Sequence, residues 1–466
     1  MTKPVNRDLW ELLLEHGQEQ LLDYWDQLNP TQQQQLESQL RTIDLPQINS
    51  LYQEATKVES VSIDWSQVLP PPVIRLPDDP TSEQAVMEQG IEVLQANQVA
   101  VLLVAGGQGS RLGFEKPKGL FPIGAISGRS LLEVLLNRIT AIAKRYGSCL
   151  PLYLMTSPET DQPIRHFLEQ HNYFDLDPEL VQVFCQDVMP AVDQQTGRVL
   201  LEAPDALALS PNGHGGMLTA FAKRGCLQDA QQRQVKYLFY GQIDNPLVPI
   251  CDPWLLGNHL LAGSEMSTHV VRKVSAEEKA GIGLLTEDQL RIIEYNHLPT
   301  EIATQTDETG ELLFWAGSIG SHIFSVDLLS RAASLANVLP YHASSKNVPH
   351  LDTSGRLVTT ETNNAYKFER FIFELVTVAN NPILVEVDRQ AAFAPVKNAG
   401  IHATDTAETA RQIMSNLYRS WLNAAGISVT PDVEIEIDAR WALDQAEVAA
   451  KLTETNTIDR ATYFKP

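Results

Sequence analysis

Only four cysteines occur in 466 residues, and Cys149, Cys185, Cys226 and Cys251 have no paired spacing for metal or redox work. A reduced, cytoplasmic setting is the simplest reading. No apolar run approaches the roughly 18 residues needed to span a bilayer. The opening "MTKPVNRDLWELLLEHGQEQ" lacks a signal peptide's layout, because acids and amides interrupt its apolar positions. Cations are also scarce. The 35 Lys and Arg face 58 Asp and Glu, a net charge of −23, so nucleic acid and anionic membranes are excluded as partners. A few cations in a cleft would still suffice for a small phosphorylated substrate. The 11 histidines show no HExxH or comparable spacing, which argues against a zinc site.

What is present is a chain long enough for two or three domains. Leu9, Trp10, Leu13, Leu14, Leu21 and Trp25 recur at spacings suited to one apolar helix face. Thr31, with Gln34 three residues on, reads as the N-cap of a second helix. Five prolines in "VLPPPVIRLPDDP" (Pro70, Pro71, Pro72, Pro77 and Pro80) predict an extended, stiff connector. From about residue 82, helices alternate with short apolar strands, among them "QVAVLLVAG", "PLYLMTS", "LVQVFCQ" and "VKYLFYGQIDN". This alternation predicts an α/β fold with a mostly parallel sheet covered on both faces, its ligands lying beyond the carboxyl ends of the strands. After residue 400, the helix "AETARQIMSNLYRSWLNAAG" and "VEIEID" predict a small C-terminal unit. The expected layout is a helical extension over 1–80, a main domain over 81–400 and a small domain over 401–466.

The segment "LLVAGGQGSRLGFEKPKG" places Gly106, Gly107, Gly109 and Gly113 directly after a buried strand. Backbone N–H groups without side chains can approach an anion closely there. The spacing fits neither the dinucleotide fingerprint nor the Walker loop, since Phe114 follows Gly113. Arg111 and Lys118 set two cations beside these amides, which suits a polyphosphate whose charge grows as a bond breaks. That is the demand of nucleotidyl transfer with pyrophosphate leaving.

This segment resembles the signature of UDP-sugar pyrophosphorylases, especially the eukaryotic-type UDP-N-acetylglucosamine pyrophosphorylases. "FLEQHNYFDL", "VFCQDVMPAV", "NGHGGMLTAF", "GQIDNPLVPICDP", "LRIIEYNHL", "FWAGSIGSHIF", "NNAYKFERFIFEL" and "FAPVKNAG" follow in that family's order. The resemblance covers nearly the whole chain. It implies a central Rossmann-like, GT-A-like nucleotidyltransferase domain with flanking elements. It also implies the conversion of UTP and a sugar 1-phosphate into a UDP-sugar and pyrophosphate.

Read through the family, Gly106, Gly107, Gln186, Gly213, Gly215, Gly216, Asp244 and Lys367 serve UTP. Arg111, Lys118 and Lys397 carry the charge neutralisation, with Lys397 facing the sugar phosphate. Gly215 and Gly216 would let the backbone pass close to the base, and Gln186 would read uracil. By residue type alone, Gln186 is equally a polar strand end, and Lys367 and Lys397 are ordinary surface lysines. Asp244 ends an apolar strand, where a carboxylate suits Mg²⁺ or Mn²⁺ bridging phosphates or, alternatively, caps the turn near Pro246; Asn245 adjoins it.

The sugar set is His214, Glu294, Ser318, Phe371 and Phe373, and here the match departs from the family. Asn212 and His214 in "PNGHGG" stand where the N-acetylglucosamine enzymes have an acid and an amide. Trp315 and Ser318 in "FWAGS" replace two asparagines. A histidine between glycines resembles UDP-glucose and broad-specificity pyrophosphorylases, whereas Glu294 and the two phenylalanines fit the N-acetyl branch. Those phenylalanines suit a strand face or the core equally well. A UDP-sugar-binding regulator is the non-enzyme alternative, and retention of Arg111, Lys118, Asp244, Lys367 and Lys397 together speaks against it. Oligomeric state cannot be read from the chain.

Overall fold

Ten strands form the main sheet: β1 Val73–Ile74, β2 Val99–Val104, β3 Leu152–Thr156, β4 Val181–Cys185, β5 Tyr237–Gln242, β6 Met266–Arg272, β7 Gly281–Thr286, β8 Gln289–Ile293, β9 Ala316–Ser325 and β10 Ile383–Glu386. The computed structural model describes residues 7–57, 63–77, 84–335, 337–400, 404–452 and 457–466. The strand order is β1-β10-β6-β9-β5-β2-β3-β4, with the β7–β8 hairpin joined to β9. Every pair in that order is parallel except those of β9, which runs antiparallel to both β5 and β6. The mixed, mostly parallel sheet therefore matches expectation. β2 is apolar throughout and β3 is apolar up to Thr156, and both are almost wholly buried, as strands covered on both faces must be.

Covering helices form where the pattern placed them, over Gln84–Gln95, Leu131–Tyr146 and Pro158–Gln170. The second starts at Ser130, whose hydroxyl accepts the Glu133 N–H, and stops at Gly147 with φ +63°. The proline segment is extended and supplies β1 as an edge strand, where a missing N–H is tolerated. Pro80 lies outside the described residues.

The chain divides into two compact units. The larger comprises Asp64–Cys185, Leu218–Val338 and Phe373–Pro466, and holds the sheet. Its C-terminal part is no separate domain. Met414, Tyr418, Leu422, Ile435 and Ile437 join the same core as Leu131, Leu135 and Ile139. Glu436 accepts the Ile126 and Ser127 N–H groups, each at 2.8 Å, and Asp438 pairs with Arg129. The apolar faces of the helix Ala407–Ala424 and the strand Ile435–Ile437 are thus spent on the main sheet's helices, so the expected boundary at residue 400 separates nothing.

The smaller unit comprises Met1–Ile63, Gln186–Met217 and Leu339–Ile372. The N-terminal helices here share a core with Val192, Val199, Leu207 and Phe368, so they are not an independent extension over 1–80. The expected single helix face from Leu9 to Trp25 is also interrupted. The helix Arg7–Glu15 ends before Gly17 (φ +65°), 3-10 turns carry Leu21 and Trp25, and Leu14 is exposed. The next helix is capped by Asn29 with Gln32, two residues before the expected Thr31. Pro30 has a preset φ and no N–H, so it occupies the first helical position and pushes the cap before it.

A chain ending at residue 400 should show no cooperative thermal unfolding and should aggregate, because it exposes the core around Leu131, Leu135 and Ile139. Calorimetry beside the full chain checks this. A sharp transition in the shortened chain would contradict it.

Candidate active site

β2 and β5 are parallel neighbours with Val104 opposite Gln242, so the segments leaving their carboxyl ends emerge side by side. After β2 the chain turns through Gly106 and Gly107, then folds back so that Gln108 bridges to Pro117. Gly109 is required in this turn: a Cβ would lie 2.7 Å from the Phe114 carbonyl oxygen and 2.8 Å from its ring. Gly113 closes a 3-10 turn at φ +68°. The fold-back returns Lys118 to the start of the loop, where its N–H donates to the Gly107 carbonyl at 3.0 Å. Arg111 is exposed at the outer turn.

Asp244 follows β5, and its Oδ2 lies 3.3 Å from Lys118 Nζ; each side chain is 17% exposed. Burial pushes the Asp244 carboxyl up, but the Lys118 and Lys397 charges outweigh this and hold it below the ordinary carboxylate value. The alternative turn-capping role falls to its neighbour, since Asn245 Oδ1 accepts the Leu247 N–H. Lys397 reaches the pair on the segment after β10, where the Val396 N–H donates to the Asp244 carbonyl at 2.9 Å. Lys397 Nζ rests 5.8 Å from the centroid of the Phe393 ring. Gly106, Gly107, Lys118, Asp244 and Lys397 thus gather at one edge of the sheet. Among the described residues no three His, Cys, Asp or Glu side chains form a metal cage. A single carboxylate nevertheless fits Mg²⁺, which usually takes one or two carboxylates and completes its shell with phosphates and water.

Ser318 lies in β9 opposite Val270 and Gly281, and its hydroxyl accepts the Gly320 N–H at 3.3 Å. Gly320 in turn adjoins Gln242 of β5, which brings Ser318 towards the same edge. Glu294 follows β8, half-buried, at the head of a 3-10 turn. Trp315 has a packing role: the guanidiniums of Arg75 and Arg272 lie 4.4 and 5.2 Å from its ring centroid, and Glu386 pairs with both. Phe373 is 7% exposed and sits in a 3-10 turn, so its two-residue spacing from Phe371 does not mark a strand face.

The remaining candidates belong to the smaller unit. Gln186 is its first residue after β4 and is 5% exposed. Gly213 and Gly215 pack against the backbone of Arg370 and Phe371, where any Cβ would come within 2.5–2.6 Å of Arg370. Gly216 meets the Asn212 amide. These glycines admit a neighbouring chain segment, a role that glycine count alone does not distinguish from admitting a base. Asn212 is 2% exposed; with the nitrogen and oxygen of its amide exchanged, it donates to the Asp187 carbonyl and accepts from the Arg370 guanidinium, each at 3.1 Å, so the residue braces buried structure. His214 Nδ1 accepts the Ile372 N–H, and its ring lies 5.5 Å from that of Phe371, which stacks on His342. Lys367 lies half-buried in the strand Ala365–Glu369, opposite Ser344.

A family model described as UTP–glucose-1-phosphate uridylyltransferase matches residues 46–429. The chain belongs to this family. Similar relatives include the UDP-N-acetylglucosamine pyrophosphorylase of Saccharomyces cerevisiae, 32% identical, with 93% of this chain and 94% of that one covered. The UDP-N-acetylglucosamine diphosphorylase 2 of Arabidopsis thaliana is 31% identical, covering 93% and 88%. The solved structure of the Trypanosoma brucei UDP-N-acetylglucosamine pyrophosphorylase shares the fold, with a TM-score of 0.81, 23% identity and 99% of each chain covered. For a uridylyltransferase, the ring beneath Lys397 is the residue that sequence reading missed. Phe393 in "AAFAPVKN" looks like any core residue until the fold sets a cation over it.

Because its folded-state value is lowered, Asp244 stabilises the protein above the pKa of an unfolded carboxyl, and this is lost as pH falls through the folded value. Asp244→Asn should therefore cost about 1–2 kcal/mol near neutral pH, with the gap closing below about pH 4. Urea denaturation of both proteins over a pH series tests this; a pH-independent gap would contradict it.

Proposed function

We propose that the protein transfers a uridylyl group from UTP to N-acetylglucosamine 1-phosphate, forming UDP-N-acetylglucosamine and pyrophosphate in a cytoplasmic setting. The observation that carries this is the Lys118–Asp244 pair beside a glycine turn, with Lys397 close by, at the carboxyl ends of parallel strands. The relatives' names supply the sugar. A Rossmann-like, GT-A-like reading of the sheet accompanies the proposal.

An oxygen of the sugar phosphate attacks the α-phosphorus of UTP, a new P–O bond forms, and the bond to the β-phosphate oxygen breaks. No covalent enzyme intermediate is needed, so the protein's work is alignment and neutralisation. The amides of Gly106 and Gly107 bind phosphate oxygens. Arg111 and Lys118 take up charge on the departing pyrophosphate, while Lys397 holds the attacking phosphate. Asp244 would hold Mg²⁺ or Mn²⁺, which supplies further positive charge to the phosphates when bound. Lys118 and Asp244 neutralise each other in the structure described, so phosphate and cation must compete for the two groups. In the smaller unit the roles are assigned by family position alone: Gln186 to uracil, Gly213, Gly215 and Gly216 to the nucleotide, Lys367 to its phosphates, and His214 with Phe371 to the sugar. Glu294 and Ser318 are the sugar contacts of the larger unit. Phe373, the remaining sugar candidate, is buried in the larger unit.

Pyrophosphate release from UTP with a panel of sugar 1-phosphates tests the reaction. Turnover with N-acetylglucosamine 1-phosphate is expected, abolished by excess chelator and restored by Mg²⁺. Glucose 1-phosphate should also be used, less than a thousandfold behind, because Ser318 and His214 alter contacts worth only a few kcal/mol. No turnover with any sugar would refute the reaction, and full activity in chelator would refute the metal.

Lys118→Ala should lower kcat about a hundredfold, since one charge contact in such a site is worth about 3 kcal/mol. It should also lose stability by an amount comparable to Asp244→Asn, about 1–2 kcal/mol, because the partly buried Asp244 carboxylate loses its nearest partner. Turnover within twofold of wild type would remove Lys118 from the leaving-group role.

A further inference from the structure

The carboxylate segment and the lysine segment are fastened together by one buried side chain. Asn245 is 2% exposed, and both ends of its amide are engaged. Nδ2 donates to the Ala392 carbonyl at 2.8 Å, while Oδ1 accepts the Ala394 N–H at 3.0 Å and the Leu247 N–H at 3.2 Å. Its partners Ala392 and Ala394 bracket Phe393, the ring over which Lys397 Nζ rests. Beyond them, Val396 bonds the Asp244 carbonyl, and the Lys397 and Asn398 N–H groups both donate to the Asp405 carbonyl, at 2.7 and 2.9 Å.

We propose that Asn245 is a positioning residue for the transfer step, setting the placement of Lys397 relative to Asp244. A planar amide that donates and accepts at fixed separation imitates a strand partner, so it fixes both the distance and the register of residues 392–394. The Asp244–Val396 bond alone would fix the distance and leave the segment free to rotate about it. Rotation would carry Phe393, and the ammonium above it, away from the attacking phosphate. In-line displacement depends steeply on such alignment, with misplacement by about 1 Å costing up to about a hundredfold. Lone binding of UTP does not depend on it, because Lys397 serves the other substrate. This inference rests on the roles given above to Asp244 and Lys397.

Full-length wild type, Asn245→Ala, Asn245→Ser and Lys397→Ala would be compared for kcat, for both KM values, for UTP affinity by calorimetry and for melting temperature. Asn245→Ser is read if Asn245→Ala does not fold. The Asn245 variant should lose about tenfold or more in kcat while UTP affinity stays within about threefold. Turnover within twofold of wild type overturns the proposal, and so does a fall in UTP affinity equal to the fall in kcat, which a merely structural role would produce. If wild type shows no uridylyl transfer, or Lys397→Ala matches wild type, the site reading itself falls and this inference falls with it. Impaired Lys397→Ala beside an unimpaired Asn245 variant rejects the clamp alone.

Discussion

Lys118 meets Asp244 because β2 and β5 are parallel neighbours held in register from Tyr237 opposite Val99 to Gln242 opposite Val104. Residues 126 positions apart then leave the sheet at the same place and in the same direction. Everything else at the edge is arranged about that pairing. The glycine fold-back returns Lys118 to the strand end, and the segment after β10 brings Lys397 beside it. The charges alternate, so each offsets the cost of partly burying the next. This keeps the carboxylate ionised where burial alone would favour its protonated form.

A cluster of this kind is useful only if its members hold still. The fold spends buried polar side chains on that purpose: Asn245 joins two segments at the larger unit's edge, and Asn212 does the same beneath the glycines of the smaller unit. Neither amide is solvent-exposed; Asn245 bonds backbone groups of residues 247, 392 and 394, and Asn212 the Asp187 carbonyl and the Arg370 guanidinium. Such groups would otherwise be buried without partners, which is costly. The C-terminal part contributes in the same way. Glu436 and Asp438 satisfy the turn over 126–129 that leads into the helix Leu131–Tyr146.

Two departures from the family pattern change meaning in this light. Trp315 and Asn212 looked like altered sugar contacts, yet one is stacked under two guanidiniums and the other is a buried brace. The other two departures, His214 in the smaller unit and Ser318 in the larger, are half-buried.

Much was determined by sequence alone. Apolar runs flanked by amphipathic helices specified a mostly parallel sheet, and the glycine turn with its cations announced phosphate chemistry at a strand end. Strand and helix periodicity are local properties, and ordered motifs carry a family through the whole chain. Domain boundaries were not legible, because an apolar helix face such as that of Ala407–Ala424 says that it must be buried but not against what. The N-cap at Asn29 was missed through a purely local competition, in which Pro30 took the first helical position. The roles of Asn245, Phe393 and Asn212 were decided by tertiary structure alone. Each depends on a partner remote in the chain, and no local pattern encodes which backbone group will lie opposite a buried amide, or which cation above a buried ring.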